Sequence, residues 1–162
     1  MSDTILIIDF GSQYTQLIAR KIREQNIYCV VKPYNKIHSL FTNTSNIAGI
    51  ILSGGPNSVK EKNSPKLNKK ILNRDIPILG ICYGMQFVNA MAGGKIYGDV
   101  QRQQENADVH SSDCGATTHP VEISVGTHLY DILKVEKLIT NSYHLQAIAE
   151  VGAGLIVTAY AF

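Results

Sequence analysis

The sequence predicts a doubly wound α/β fold, in which helices cover both faces of a mainly parallel sheet. Strand-like and helix-like segments alternate between residues 4 and 94 at the spacing of βαβ units. The strand-like segments are short apolar runs without strict alternation, which is typical of strands buried on both faces. The 162 residues, 44% of them hydrophobic, provide for one core, and we predict a single domain over residues 1–162.

The first half of the chain supplies the clearest elements. Residues 4–9 form an almost uninterrupted apolar run, which predicts the first strand. Leu17, Ile18 and Ile22 follow a helical period within residues 14–25. Further elements are predicted as strands at 28–34 and 47–53, a helical segment at 67–73, and a strand and a helix on either side of Cys82 that close at Gly93 and Gly94.

The second half of the chain has weaker patterns. Residues 97–116 are polar and lack periodicity, which predicts a long surface loop. Alternation at 119–125 predicts a half-buried antiparallel strand, and a helical turn is predicted at 129–133. Strands are also predicted at 138–144 and 154–162. Because the last of them ends with the sequence, we expect a fold truncated at its C-terminal end.

Composition and charge argue against several classes of function. The net charge of +2 comes largely from lysines at 60–70, which no aromatic residues separate. We interpret this run as the solvated face of a helix and predict no nucleic-acid partner. The sequence has neither a basic leader nor an apolar run of the roughly eighteen residues that span a bilayer, which predicts a cytoplasmic protein without a membrane partner.

The cysteines do not form a metal or disulfide pattern. Cys29, Cys82 and Cys114 are an odd number at wide spacings, without the Cys-x-x-Cys or Cys/His spacing of zinc sites. We therefore predict no disulfide, no metal and no cofactor.

Cys82 has the surroundings of a nucleophile. Gly80 and Gly84 lie two residues before and after it, and they would allow the sharp turn and the close packing of strand on helix that a nucleophile elbow requires. The positive end of the helix macrodipole favours a thiolate at this position. The alternative is a buried cysteine that packs as a small hydrophobe.

A cysteine that attacks an amide needs donors for the oxyanion and a base. Backbone N–H groups after Cys82, together with those of the Gly54-Gly55 turn, would supply the donors. Two other interpretations of that turn stay open. The first is an ordinary tight turn. The second is a relative of the phosphate loop of ATP pyrophosphatases, with Asn57 in place of an aspartate.

Five histidines are candidates for the base. The sequence does not show which of them lies near Cys82, and each is open to a role as a surface or structural imidazole. His144 is the best placed, because it follows a predicted strand, with substrate contact and loop support as its alternatives. Asp9 is expected to cap a turn and Tyr143 to pack.

The residues around the elbow resemble a known family. Residues 80–86 are similar to the elbow of class I (triad-type) glutamine amidotransferases, and residues 9–20 and 51–59 resemble the GMP synthase branch of that family. In the second half, four segments are more similar to the γ-glutamyl hydrolase-like branch, peptidase family C26: residues 93–99, 119–121, 126–127 and 141–147. The resemblance implies the flavodoxin-like α/β fold of this superfamily.

The resemblance also implies a reaction. Cys82 would attack the side-chain amide of L-glutamine, or of a γ-glutamyl amide, release ammonia and leave a γ-glutamyl thioester for water to hydrolyse. The N–H groups of Gly55 and Tyr83 would hold the oxyanion. The remaining positions for which the resemblance implies contact with the substrate or oxyanion are Gly54, Gln86, His144 and Leu145.

In the family that the chain resembles, a His-Pro-Glu segment completes the triad one strand beyond the point where this sequence ends. Because that histidine is the base, we expect activity to be impaired by several orders of magnitude. The ATP pyrophosphatase half of a synthetase is also absent, so a separate synthetase subunit is the expected partner. A catalytically inactive glutamine- or partner-binding remnant and a γ-glutamyl peptide hydrolase stay open as alternative functions.

Overall fold

A computed structural model describes residues 4–37, 46–73, 75–105, 117–142 and 144–161. The chain divides into two compact units, residues 1–91 and residues 92–162. The organisation of the whole chain as one domain stays a prediction.

The first unit contains a parallel four-stranded sheet. Its strands are β1 (Thr4–Asp9), β2 (Tyr28–Pro33), β3 (Ile47–Leu52) and β4 (Ile78–Gly80), in the spatial order β2-β1-β3-β4. Helix α1 (Thr15–Glu24) connects β1 to β2, and helix α2 (Tyr83–Met91) follows β4. The parallel pairing and the helical connection confirm the predicted α/β class.

Helices α1 and α2 cover opposite faces of this sheet. Leu6 and Ile8 of β1 pack in one buried cluster with Phe87 of α2, whereas Ile7 between them packs with Ala19 of α1. Successive side chains of a strand point to opposite faces, so the two clusters are the two sides of a doubly wound sheet.

The second unit is built from antiparallel pairs. β5 (Lys95–Tyr97) pairs with β8 (Ala147–Glu150), and β6 (Thr117–Ile123) lies between β7 (Lys137–Ser142) and β9 (Ala159–Ala161). Two short helices are α3 (Val100–Gln103) and α4 (His128–Leu133). The strand pattern at 119–125 correctly predicted an antiparallel strand.

The lysine-rich segment differs from its prediction. The helix expected at 67–73 is a single 3₁₀ turn, Lys69–Ile71, so the lysines of 60–70 do not lie on the face of a helix. Asn68 caps this turn, because its Oδ1 accepts the N–H of Lys70 at 3.0 Å, and such a local side-chain bond favours a turn over a helix interior.

The strand predicted at 154–162 is also shorter than expected, since only Ala159–Ala161 pair with β6. Gly154 turns the chain with a φ of +79°, and Ile156 is 84% exposed. Among the described residues, the first part of this apolar run has no strand to pair with, and an apolar run without a pairing partner does not become a strand.

The polar segment at 97–116 is not all loop. It contains α3, whose N-terminus is capped by Asp99 Oδ1 accepting the N–H of Arg102 at 3.2 Å. A four-residue helix is too short to show a period, although an aspartate at its start is a recognisable cap. Residues 106–116, which include His110 and Cys114, lie outside the described residues, as do His38 and Tyr143.

Candidate active site

Cys82 lies between β4 and α2 in a backbone conformation that is rare for a residue with a side chain. Its φ is +52°, in the left-handed region, which costs an L residue about 1–2 kcal/mol. Such strain persists only where the surrounding structure imposes it, and a strained turn from strand to helix is the geometry of a nucleophile elbow. The side chain is exposed, which does not fit a buried cysteine that merely packs.

Gly80 and Gly84 allow strand and helix to approach closely. A Cβ on Gly80 would lie 2.6 Å from the backbone N of Met85, and a Cβ on Gly84 would overlap the carbonyl oxygen of Leu52. Neither position has room for a side chain, so the predicted role of both glycines is confirmed.

The end of β3 holds the elbow in place. The N–H of Ile81 donates to the Leu52 carbonyl at 2.9 Å, and the N–H of Gly84 donates to the Ser53 carbonyl at 3.1 Å. Backbone bonds on both sides of Cys82 therefore fix the turn that presents the thiol.

The Ser53 side chain joins two neighbouring strand ends. Its buried Oγ accepts the N–H of Phe10 at 3.1 Å and donates to the carbonyl of Gly54 at 2.8 Å. Sequence reasoning missed this role. The only available signal was a hydroxyl placed directly after the apolar run of β3.

Asp9 orders the loop after β1. Its Oδ1 accepts the N–H of Gly11 at 2.9 Å, the N–H of Ser12 at 3.2 Å and the hydroxyl of Thr15 at 2.7 Å. These bonds confirm its predicted role as the cap of a turn.

In the structure, the glycine turn at Gly54 and Gly55 lies next to Cys82. The point that a Cβ on Gly54 would occupy lies 3.5 Å from the Cβ of Cys82 and 3.4 Å from Oγ of Ser12. The turn and the elbow, which are far apart in sequence, therefore border one common space.

Gly55 packs against the loop after β1. A Cβ on Gly55 would lie 2.8 Å from the carbonyl oxygen of Phe10. Among the described residues, no hydrogen-bond acceptor is found for the N–H of Gly55 or for the N–H of Tyr83, the first residue of α2. These two donors are available to a ligand.

The Tyr83 side chain anchors the segment that follows the glycine turn. Its hydroxyl donates to the Pro65 carbonyl at 2.5 Å, and its buried ring contacts that of Phe10, with 4.9 Å between centroids. Burial raises the pKa of the Tyr83 hydroxyl, and a hydrogen bond with Ser64 opposes part of this shift. The sequence had suggested a role only for the backbone of Tyr83.

Replacement of Tyr83 by phenylalanine is expected to lower the free energy of unfolding by about 1–3 kcal/mol, because the carbonyl of Pro65 loses its buried donor. The raised pKa in the folded state means that this stabilisation is present below the unfolded tyrosine pKa of 10.0 and is lost as the pH rises through the folded pKa. The difference between wild type and Tyr83→Phe should therefore shrink above about pH 10 in urea titrations. A difference that grows with pH would contradict this assignment.

Gln86 lies on α2 one helical turn after Cys82. Its N–H donates to the Cys82 carbonyl at 3.0 Å, and its side chain is buried. The structure thus places Gln86 next to the elbow in the first unit, and its contact with a substrate stays a prediction.

His144 and Leu145 belong to the second unit. His144 is half-buried, and the carbonyl of Leu145 accepts the N–H of Val100 at 2.7 Å. Their substrate contacts, and a role of His144 as base, stay predictions.

A second histidine of this unit has a buried partner. His119 Nε2 and Ser142 Oγ form a short hydrogen bond between β6 and β7, and both residues are buried. This contact supports a structural role for His119, one of the alternatives that the sequence left open.

Two negative findings concern the described residues alone. They contain no group of three or more His, Cys, Asp or Glu side chains placed to hold a metal ion. Within the same part of the chain, no helix has both the length and the apolar character needed to cross a bilayer.

The fold and the site define an α/β protein with a cysteine at a nucleophile elbow. Residues 6–161 match the profile of the family "Glutamine amidotransferase class-I", and the chain belongs to this family. The predicted membership is confirmed.

Within this family the chain is similar to proteins named GMP synthase [glutamine-hydrolyzing]. It is 44% identical to the protein of Cytophaga hutchinsonii over 116 residues, which are 70% of this chain and 22% of that protein. It is 40% identical to the protein of Methylobacillus flagellatus over 135 residues, which are 83% of this chain and 26% of that protein. The chain thus spans about a quarter of the length of these relatives, and the predicted likeness to the GMP synthase branch is confirmed.

Solved structures confirm the fold. A protein from Thermoplasma acidophilum, described as one subunit of a GMP synthase, superposes with a TM-score of 0.77 at 20% identity, covering 99% of this chain and 74% of that one. A glutamine amidotransferase from Thermotoga maritima gives a TM-score of 0.66 at 20% identity, covering 93% and 64%. The predicted fold of class I amidotransferases, with its flavodoxin-like parallel sheet, is therefore correct.

Proposed function

We propose that this chain is a glutamine amidotransferase domain in which Cys82 hydrolyses the side-chain amide of L-glutamine to supply ammonia. The observation that carries the proposal is the exposed Cys82 at a φ of +52°, set against the Gly54 turn. The names of its relatives state glutamine hydrolysis for those proteins, which supports the same chemistry here.

The reaction begins at the Cys82 sulfur. The thiolate forms a bond to the amide carbon, and the carbonyl oxygen takes up a negative charge that the N–H groups of Gly55 and Tyr83 would stabilise. Collapse of this intermediate breaks the C–N bond, and the departing nitrogen takes up a proton and leaves as ammonia. Water then hydrolyses the γ-glutamyl thioester to glutamate and restores Cys82.

The ammonia needs an acceptor. We propose a synthetase of the ATP pyrophosphatase type as the partner that receives it, and the cytoplasm as the compartment where both act. Support comes from the relatives, whose names join glutamine hydrolysis to GMP synthesis in one protein. Gln86, His144 and Leu145 are proposed as further substrate contacts.

Affinity labelling tests the proposal independently of turnover. A glutamine-shaped diazoketone, 6-diazo-5-oxo-L-norleucine, is expected to modify Cys82. Excess L-glutamine should protect Cys82 from this labelling, and mass spectrometry locates the adduct. Cys29, buried and donating to the Ala19 carbonyl at 3.5 Å, should stay unmodified. Cys82→Ala serves as the control for both labelling and ammonia release.

The outcomes separate the candidate functions. Labelling at Cys82 with ammonia release above the Cys82→Ala control supports an active glutaminase. Labelling without ammonia release indicates a glutamine-binding domain that does not turn over. Absence of glutamine-protected labelling at Cys82 refutes a glutamine site at the elbow.

A further inference from the structure

Ser12 lies across Gly54 from the nucleophile. Its Oγ and the Cβ of Cys82 are both within 3.5 Å of the position that a Cβ on Gly54 would fill. Because glycine leaves this position empty, Ser12, Gly54 and Cys82 border a narrow space, the Ser12 slot. A ligand atom seated above Gly54 would contact the serine hydroxyl and the nucleophilic residue together.

The Ser12 hydroxyl is held in place but keeps a donor. Its Oγ accepts the N–H of Tyr14 at 3.1 Å, and its own N–H donates to Asp9 Oδ1 at 3.2 Å. A serine hydroxyl has one O–H donor besides its two acceptor lone pairs. Among the described residues, no acceptor is found for this O–H. The loop after β1 therefore positions a free donor beside Cys82.

We propose that Ser12 contacts the substrate, donating its hydroxyl hydrogen bond to the carbonyl oxygen of the amide that Cys82 attacks. This inference rests on the proposed glutamine hydrolysis and adds a side-chain donor to the two backbone N–H groups. An amide oxygen has two lone pairs and gains negative charge during attack, so a hydrogen bond to it strengthens as the reaction proceeds.

Two thiol reagents separate recognition of a carbonyl from reactivity of the thiol. The glutamine-shaped diazoketone carries a carbonyl next to its reacting carbon, whereas methyl methanethiosulfonate modifies accessible thiols and has no carbonyl. In Ser12→Ala we expect diazoketone labelling of Cys82 to slow about tenfold, the effect of one hydrogen bond. Modification by the thiosulfonate should keep the wild-type rate, and Ser12→Thr, which retains a hydroxyl, should recover most of the diazoketone rate.

Ser58→Ala is a matched control. Ser58 Oγ accepts the N–H of Lys60 at 3.3 Å, the same type of local bond that Ser12 makes with Tyr14. Removal of the Ser58 hydroxyl should leave the rate of diazoketone labelling unchanged. The control thus separates an effect of the Ser12 slot from the effect of losing a local serine hydrogen bond.

Three results would overturn the proposal. Equal diazoketone rates for wild type and Ser12→Ala remove the contact while leaving the proposed function intact. Equal slowing by both reagents shows a disturbed elbow instead of lost recognition. Absence of glutamine-protected labelling in the wild type removes the proposed function and this inference with it.

Discussion

Replacement of Gly84 by alanine is expected to lower the free energy of unfolding of the first unit by about 3 kcal/mol or more. The new Cβ would overlap the carbonyl oxygen of Leu52 and lie 2.6 Å from the Leu52 Cβ. Leu52 belongs to β3, which pairs with β1 on one side and β4 on the other, so its backbone cannot yield without breaking a sheet ladder. Helix α2 must move instead, and it carries the elbow with it.

The sign of this effect distinguishes packing from helix propensity. Alanine is favoured over glycine inside a helix by about 1 kcal/mol, so propensity alone predicts that Gly84→Ala stabilises the protein. Urea unfolding followed by circular dichroism measures the difference. Gly98→Ala is the control, because a Cβ there meets only Oε1 of Gln103 at 3.6 Å. A Gly84→Ala variant as stable as wild type would show that the helix does not press on β3 as closely as described.

The first half of the fold could be predicted because its apolar runs are long and its helix is amphipathic. β1 and α1 appear within a residue or two of their predicted bounds. The second half could not be predicted to the same degree. Whether the run at 154–162 becomes a strand depends on a neighbour to pair with, and only its residues Ala159–Ala161 pair with β6. The local composition of a segment does not show which strand it will pair with or over how many residues.

The candidate site also has parts that the sequence could predict and parts that it could not. The Gly80, Cys82 and Gly84 spacing is a local pattern, so the elbow and its tight packing were predictable. Ser53 and Ser12 were not, because their roles depend on residues that only the fold brings near. The bond between Ser53 Oγ and the N–H of Phe10 spans 43 positions of sequence. A serine next to a glycine carries no sign of such a partner.

Gly54→Ala is expected to keep the fold but to weaken recognition of the diazoketone. Labelling of Cys82 should slow by about a hundredfold, since small misplacements of a reacting group have costs of that size. The added Cβ would lie 3.4 Å from Ser12 Oγ and 3.5 Å from the Cys82 Cβ, which are ordinary contacts. Stability should equal or exceed that of wild type by about 0.4–1 kcal/mol, because alanine restricts the unfolded chain. Modification of Cys82 by methyl methanethiosulfonate should stay close to the wild-type rate.

Gly55→Ala, one residue away, is expected to lower stability, unlike Gly54→Ala. Its Cβ would lie 2.8 Å from the Phe10 carbonyl oxygen, a backbone atom directly after β1, so we expect a loss of about 1–3 kcal/mol in stability. The two adjacent glycines look equivalent in the sequence, yet a Cβ on Gly54 would meet side-chain atoms at ordinary distances, whereas Gly55 allows two backbones to meet. If Gly54→Ala labels at the wild-type rate, the space between Ser12 and Cys82 is not where the substrate binds. If Gly54→Ala loses as much stability as Gly55→Ala, the absence of a side chain at Gly54 serves packing alone.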